Sequence, residues 1–198
     1  AHGYNVFLPD YYGYGVDKAA IHPYHHAESL KIASRDMIFA GYEFLQQQQV
    51  RYNQKLFLAG YSEGAYASAA LQQSLENRSD LPFSLVASSL GSGGYNLKET
   101  FEYFTSDISQ PFGCVPCNAF LLQSFNTVYG IGHPLSYYFQ QPYADIIENG
   151  LFLGEFDATS IANQLATPQE ELFNPAFIIN YYQQNETAWT NALTANSI

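Results

Sequence analysis

The sequence predicts an α/β fold in which a parallel sheet with crossover helices precedes a mostly helical region. Over residues 1–97, short apolar runs alternate with helical patterns, an order typical of parallel strands joined by helices. Residues 98–198 are rich in Tyr, Phe, Asn, Gln and Pro and contain no clear apolar strand pattern. The chain has 198 residues, 47% of them hydrophobic, which suffices for a sizeable core. We therefore predict a sheet-bearing core in 1–97 and a helical cap or lid region in 98–198.

The first predicted elements are a buried strand and a long helix. Residues 6–8 (Val-Phe-Leu) form an apolar run that ends at Pro9-Asp10 and leads into a Gly-rich loop. From Ala27 to about Gln49, apolar residues recur at spacings of three and four, which predicts one buried helical stripe. The members of that predicted stripe are Leu30, Ala33, Met37, Gly41, Phe44 and Leu45.

The next elements are a strand over residues 56–59, a helix over 64–77 and a strand over 83–90. In parallel sheets, ligand sites lie beyond the carboxyl ends of the strands. We therefore expect Ser62, the loop 10–15 and the loop 91–95 to lie along the same rim of the sheet.

The strongest functional signal is the sequence Gly-Tyr-Ser-Glu-Gly at residues 60–64, because it stands between a predicted strand and a predicted helix. This is the context in which a G-x-S-x-G motif forms a nucleophile elbow, a sharp turn that exposes the serine hydroxyl. Glycines at both ends avoid crowding the turn. The amides at the start of the helix point toward the place where a negative oxygen develops. The pattern predicts Ser62 as a nucleophile.

Composition excludes several classes of partner. The formal net charge is −11, with 7 basic and 18 acidic residues, which argues against nucleic acid and against docking on an anionic membrane. No apolar run approaches the roughly 20 residues of a membrane-spanning helix. The 17 Tyr and 15 Phe fit either a packed core or an apolar substrate cleft, and composition leaves both open.

The two cysteines, Cys114 and Cys117, form a C-x-x-C pair. A zinc site needs two further ligands, and the sequence has no second C-x-x-C or C-x-x-H. A redox role needs the pair at a helix start after a buried strand, and residues 105–112 do not make a convincing strand. We expect a local disulfide if the protein is exported and two unused thiols if it is not.

Several segments together resemble a known family. They are residues 6–15, 22–24 (His-Pro-Tyr), 60–65 and 94–97, with 141–144 and 149–152 in the second half. The chain resembles the α/β-hydrolase superfamily and, more narrowly, the bacterial secreted esterase and lipase subgroup that carries a helical cap. The resemblance extends over nearly the whole chain.

The resemblance implies an ester hydrolase that acts through an acyl-enzyme and needs no metal or cofactor. Ser62 is then the nucleophile, the backbone N–H of Glu63 an oxyanion donor, and Tyr61 part of the acyl pocket for a small-molecule or lipid ester. The His and Asp or Glu of a triad follow the serine in chain order, beyond the cap. We therefore expect these partners in N- and C-terminal parts of the same enzyme outside the 198 residues. The subgroup also implies a secreted or periplasmic location.

Other groups within the chain are weaker candidates. The five histidines are His2, His22, His25, His26 and His133. We interpret the 22–26 loop as structural, and His133 as a base only if Asp145 or Asp157 happens to orient it. Asp10, which follows the first predicted strand, is interpreted as an acceptor for turn amides and not as a displaced triad acid.

Two alternative functions stay open. A peptidase or amidase uses the same elbow, since the leaving group is not readable from these residues. A non-catalytic, hydrolase-like binding module is the second alternative, and it applies if the 198 residues are the whole protein.

Overall fold

The computed structural model describes residues 3–76, 78, 80–110, 114–166 and 168–198, and it confirms the α/β class. The chain divides into two units. The first unit comprises Ala1–Tyr12, His25–Gly94 and Ile198, and the second comprises Gly13–Tyr24 and Tyr95–Ser197. The division into core and cap at residues 97 and 98 stays a prediction.

The first unit contains a parallel pair of strands, β1 (Lys55–Tyr61) and β2 (Ser84–Gly91). Lys55 pairs with Ser84 at one end and Tyr61 with Gly91 at the other, with an irregularity after Leu56. The two strands predicted at 56–59 and 83–90 are thereby confirmed. Their carboxyl ends meet at the same edge, as parallel pairing requires.

Two helices accompany these strands, α1 (Ala27–Gln47) before β1 and α2 (Glu63–Glu76) between β1 and β2. The crossover helix predicted at 64–77 is confirmed, although Asn77 lies outside the described residues. Small side chains on α2, with Ala65 fully buried, allow the helix to approach its neighbours closely. The buried cluster that joins these elements consists of Ile38, Tyr42, Leu56, Leu58, Leu71, Leu75 and Phe83.

The buried stripe of α1 differs from the predicted one. Phe44 is 58% exposed, whereas Ser34, Ile38 and Tyr42 are buried with Leu30, Gly41 and Leu45. The observed buried residues follow one another mainly at spacings of four, so they lie on one helix face. The predicted set satisfies the same helical periodicity. Which of the two overlapping stripes is buried depends on packing against Phe83 and β1.

The predicted strand at residues 6–8 is wrong for the described structure, because these residues form no strand. Val6 and Leu8 are 73% and 80% exposed, and Phe7 packs by its ring against Tyr42. A strand requires a hydrogen-bonded neighbour. A cavity of about 580 Å³ is lined by residues 3–9 and residues 55–59, among others.

The second unit is helical. Its elements are a 3₁₀ turn (Gly15–Asp17), α3 (Leu97–Thr105), α4 (Val115–Val128), α5 (Leu135–Tyr138), α6 (Tyr143–Glu148), α7 (Ala158–Ala162), α8 (Gln169–Leu172), α9 (Pro175–Tyr182) and α10 (Thr187–Ala195). An isolated antiparallel bridge joins Phe139 to Phe173. The expectation of helices and irregular chain after residue 98 is confirmed. Among the described helices, none combines the length and apolar character needed to cross a bilayer.

The core of the second unit is built around Trp189, which is fully buried. Its indole stacks on Phe125, and its Nε1–H donates to the Tyr138 hydroxyl at 3.1 Å. The Tyr138 hydroxyl in turn donates to Oδ1 of Asn126 at 2.9 Å. Because both polar ends are satisfied, these large aromatic residues are buried without an unpaired donor.

We expect this core to lose stability at alkaline pH. Burial raises the pKa of Tyr138 to about 12, and burial, with Glu102 adding to it, raises the pKa of Tyr181. In the unfolded chain both titrate near their ordinary pKa of 10.0. Their stabilising contribution is therefore complete below pH 10 and is lost as pH rises from 10 through their folded-state pKa values. Urea unfolding midpoints measured across that window check the expected decrease.

Tyr138→Phe is the matched variant for this experiment. It costs about 1–2 kcal/mol at neutral pH because Trp189 and Asn126 lose a hydrogen-bond partner. It also removes one titrating group, so its stability falls less steeply above pH 10. If the stability of Tyr138→Phe decreases with pH above 10 as steeply as that of the unsubstituted protein, Tyr138 does not contribute to the alkaline loss of stability.

The cysteine pair is joined as a disulfide, Cys114–Cys117, which closes a ring at the start of α4. Cys114 occupies the N-cap position, and Pro116 lies in the first turn. Of the two alternatives left open by the sequence, the local disulfide is the one that the structure contains.

Candidate active site

Ser62 lies at a sharp turn between the last residue of β1 and the first residue of α2. Its φ is +53°, in the left-handed region that residues with a β-carbon rarely adopt. The residue is exposed. A strained backbone at an exposed serine is the geometry expected of a nucleophile elbow, since such strain is stored at functional sites.

Backbone hydrogen bonds hold this strained turn in place. The Ser62 N–H donates to the Gly91 carbonyl at 2.8 Å, which ties the turn to the end of β2. The Ser62 carbonyl accepts from the amides of Ala65 at 3.0 Å and Tyr66 at 3.1 Å, which ties it to the first turn of α2. The rim expected from strand order therefore includes Ser62 and the start of the 91–95 loop.

The two glycines of the motif are not equivalent. A Cβ on Gly60 would lie 2.1 Å from the Gly64 carbonyl oxygen and 2.6 Å from the Ala65 nitrogen, so the backbone itself excludes a side chain there. A Cβ on Gly64 would meet no atom of the neighbouring elements within 4 Å. The expectation that both glycines relieve crowding is confirmed for Gly60 and wrong for Gly64.

The two neighbours of Ser62 have different environments. Tyr61 is 75% exposed, and its ring lies beside Gly91, where an added Cβ would be 3.3 Å from the ring atom Cδ2. Glu63 is the first residue of α2, so its backbone N–H is one of the amides that a helix start leaves without an intrahelical acceptor. Its side chain accepts a hydrogen bond from the His25 amide at 3.2 Å.

A second polar group faces the same carboxylate. Burial raises the pKa of Tyr11, and the negative charge of Glu63 raises it further, while a hydrogen bond with Ser34 opposes the change. Tyr11 is therefore a neutral phenol at physiological pH. The start of α2 thus carries an acidic side chain that accepts from the His25 amide and whose charge acts on Tyr11.

The described histidines occupy distinct settings. In the first unit, the buried His25 ring packs on Tyr66 at 4.8 Å, and His26 precedes α1 with its Nδ1 2.8 Å from the Ser29 hydroxyl. Burial lowers the pKa of His26. In the second unit, the fully buried His22 ring lies 4.5 Å from that of Tyr14. His2 lies outside the described residues.

His133, in the second unit, has an acidic neighbour that the sequence did not indicate. Its Nε2 lies 4.0 Å from Oε2 of Glu186, and its ring stacks on Tyr137 at 4.2 Å. The other carboxylate oxygen of Glu186 accepts from the Tyr137 hydroxyl. The two candidate acids are engaged elsewhere, since Asp145 accepts from Gln141 and Asp157 caps α7. The residues are too far apart in the sequence for any spacing rule to have paired them.

Neither of the two described cavities of the first unit is lined by Ser62 or Tyr61. The cavity of about 580 Å³ runs along residues 3–9 and β1, and one of about 520 Å³ runs along β2 and the end of α2. Asp10 is exposed, and its chain neighbours Pro9 and Tyr11 line the first of these cavities. Within the described ranges, no three His, Cys, Asp or Glu side chains are grouped as metal ligands.

Comparison with solved structures shows that the fold of this chain is similar to those of hydrolases. The rice cell wall degrading esterase LipA of Xanthomonas oryzae is similar, with a TM-score of 0.82 and 27% identity over 94% of this chain. So is a "putative hydrolase" of Legionella pneumophila, with a TM-score of 0.83 and 30% identity over 98% of this chain. A ligand-bound form of LipA matches with a TM-score of 0.78 and 25% identity over 90% of this chain.

This chain spans about half the length of these proteins, 50% of LipA and 51% of the Legionella protein. No protein-family model and no curated protein sequence matches it. The fold defines the class: the chain has an esterase-like hydrolase fold of the α/β type.

Proposed function

We propose that the natural protein containing these residues is a serine-dependent carboxylic ester hydrolase with Ser62 as its nucleophile. The observation that carries the proposal is an exposed serine held at φ +53° between a parallel strand and a helix. The similarity to LipA and the Legionella protein supports hydrolase chemistry, and because LipA is an esterase the similarity favours an ester over an amide.

The proposed reaction runs through an acyl-enzyme. The Ser62 Oγ attacks the ester carbonyl carbon while its proton passes to a histidine base. The carbonyl oxygen becomes an oxyanion, which the backbone N–H of Glu63 stabilises. When the tetrahedral intermediate collapses, the alcohol leaves with the proton, and an acyl ester remains on Ser62. Water then attacks that ester by the same route, so the cycle uses no metal and no cofactor.

The proposed substrates are small-molecule or lipid esters. Tyr61 contributes to the acyl site in this proposal, since its exposed ring directly precedes the nucleophile. A short acyl chain placed there contacts an aromatic face beside the reacting carbonyl.

The triad histidine and acid are proposed to come from parts of the same enzyme outside residues 1–198. The chain spans about half of its solved relatives. The exposed side chains of Val6, Leu8 and Phe57 and the cavity between residues 3–9 and β1 support further chain on this face of the first unit. An intact mass of the natural protein well above that of 198 residues supports the proposal, and a mass equal to it favours the binding module.

A secreted or periplasmic location is proposed with this function. The Cys114–Cys117 disulfide supports it, because disulfides persist in oxidising compartments. Cell fractionation of the natural source tests the location directly.

The proposed function is tested on the natural protein with a short p-nitrophenyl ester, the matching p-nitroanilide and a fluorophosphonate. We expect ester turnover to exceed anilide turnover and the phosphonate to form a covalent adduct on Ser62, located by peptide mass spectrometry. Faster anilide turnover favours a peptidase or amidase. No turnover and no adduct favours the non-catalytic module.

A further inference from the structure

The Glu63 side chain is a carboxylate that the proposed reaction does not use, although it directly follows the nucleophile. Its Oε1 lies 3.2 Å from the backbone nitrogen of His25, which donates the hydrogen bond. The contact joins residues 38 positions apart and links the residues just before α1 to the first residue of α2.

The His25 end of this contact is itself well held. His25 has a φ of +53° and is 7% exposed, and its ring packs on Tyr66 in the first turns of α2. A residue in this backbone conformation is stable when its surroundings fix it. The Glu63 carboxylate and the Tyr66 ring thus attach α2 to the same residue at two points one helical turn apart.

We propose that the Glu63 side chain is a positioning residue for the oxyanion donor. By accepting the His25 amide, it fixes the first turn of α2 and keeps the Glu63 N–H where the oxyanion develops. This inference rests on the proposed function, because the Glu63 amide has a catalytic role only if Ser62 is the nucleophile.

The contact requires a hydrogen-bond acceptor and does not require a negative charge. A carboxylate at a helix start also stabilises the helix through the helix dipole, and the negative charge of Glu63 raises the pKa of Tyr11. Two variants distinguish the role as hydrogen-bond acceptor from the role as negative charge. Glu63→Gln keeps an acceptor oxygen and loses the charge, and Glu63→Ala loses both.

The experiment measures steady-state ester hydrolysis by the natural protein and its variants, normalised by titrating active sites with a fluorophosphonate. We expect Glu63→Ala to lower kcat per active site about 10- to 100-fold with KM changed less than about 3-fold. Glu63→Gln recovers most of that loss. Glu76→Ala, at the exposed end of the same helix, is the matched control and keeps the activity of the unsubstituted protein.

Hydrogen exchange at the His25 amide gives a readout that does not depend on activity. It becomes faster in Glu63→Ala and stays slow in Glu63→Gln if the carboxylate anchors this amide. An unchanged kcat in Glu63→Ala, an equal loss in Glu63→Gln, or unchanged exchange at His25 overturns the proposal. Failure of the proposed function is distinct: Ser62 then forms no adduct in the unsubstituted protein, whatever the exchange shows.

Discussion

Replacing Ser62 with alanine is expected to lower ester turnover by the natural protein at least about 10⁴-fold, because the covalent route is lost. The substitution removes only the Oγ atom from an exposed side chain, so the fold stays intact. KM and kcat measured with a short p-nitrophenyl ester, with circular dichroism as the check on folding, give the result. Fluorophosphonate labelling disappears in the same variant.

Ser68→Ala is the matched control for this experiment, since Ser68 lies on the same helix and is partly buried. We expect it to retain turnover and labelling. Ester turnover in Ser62→Ala within about 10-fold of the unsubstituted protein contradicts the nucleophile assignment. His133 with Glu186 then becomes the first group to test for a different route.

Gly60→Ala is expected to destabilise the protein by about 3 kcal/mol and to reduce turnover about 100-fold or more. Its Cβ would stand 2.1 Å from the Gly64 carbonyl oxygen and 2.3 Å from the carbonyl carbon. Both atoms belong to the backbone and cannot move aside as the end of a side chain can, so α2 must shift away from β1. That shift displaces the Glu63 amide from Ser62. Urea unfolding and steady-state kinetics measure the two effects.

Gly64→Ala provides the contrast, because a Cβ there meets no atom of a neighbouring element within 4 Å. Alanine is also a better helix former than glycine, by about 1 kcal/mol. We expect stability equal to or above that of the unsubstituted protein. If Gly60→Ala and Gly64→Ala have similar effects on stability, the steric account of the turn is wrong.

Much of the first unit could be predicted because its elements follow from local patterns. The alternation of apolar runs with helical periodicity predicts β1, α2 and β2 to within two residues. Residues 6–8 were mispredicted because an apolar run signals strand potential, while a strand forms only against a paired neighbour. The buried face of α1 was predicted only in part, because Phe44 and Tyr42 lie on overlapping stripes that packing alone distinguishes.

In the candidate site, too, the sequence predicts one part and does not predict another. The G-x-S-x-G spacing predicts the elbow, since the residue types and their order encode a local turn. The Glu63–His25 contact and the His133–Glu186 pair join residues 38 and 53 positions apart. No local pattern indicates such contacts.

The order and types of the residues are enough to predict the fold class, the position of Ser62 between a strand and a helix, and the acidic character of the chain. The three-dimensional arrangement was needed to show that Gly60 and not Gly64 is sterically required, and that Cys114 and Cys117 are joined. It also shows that the Glu63 carboxylate accepts a hydrogen bond from the His25 amide. This difference follows from the range of the interactions. Hydrophobic periodicity and turn preference depend on residues close together in the sequence. The steric room for a Cβ and the hydrogen bonds between distant residues depend on which segments come into contact in the folded chain.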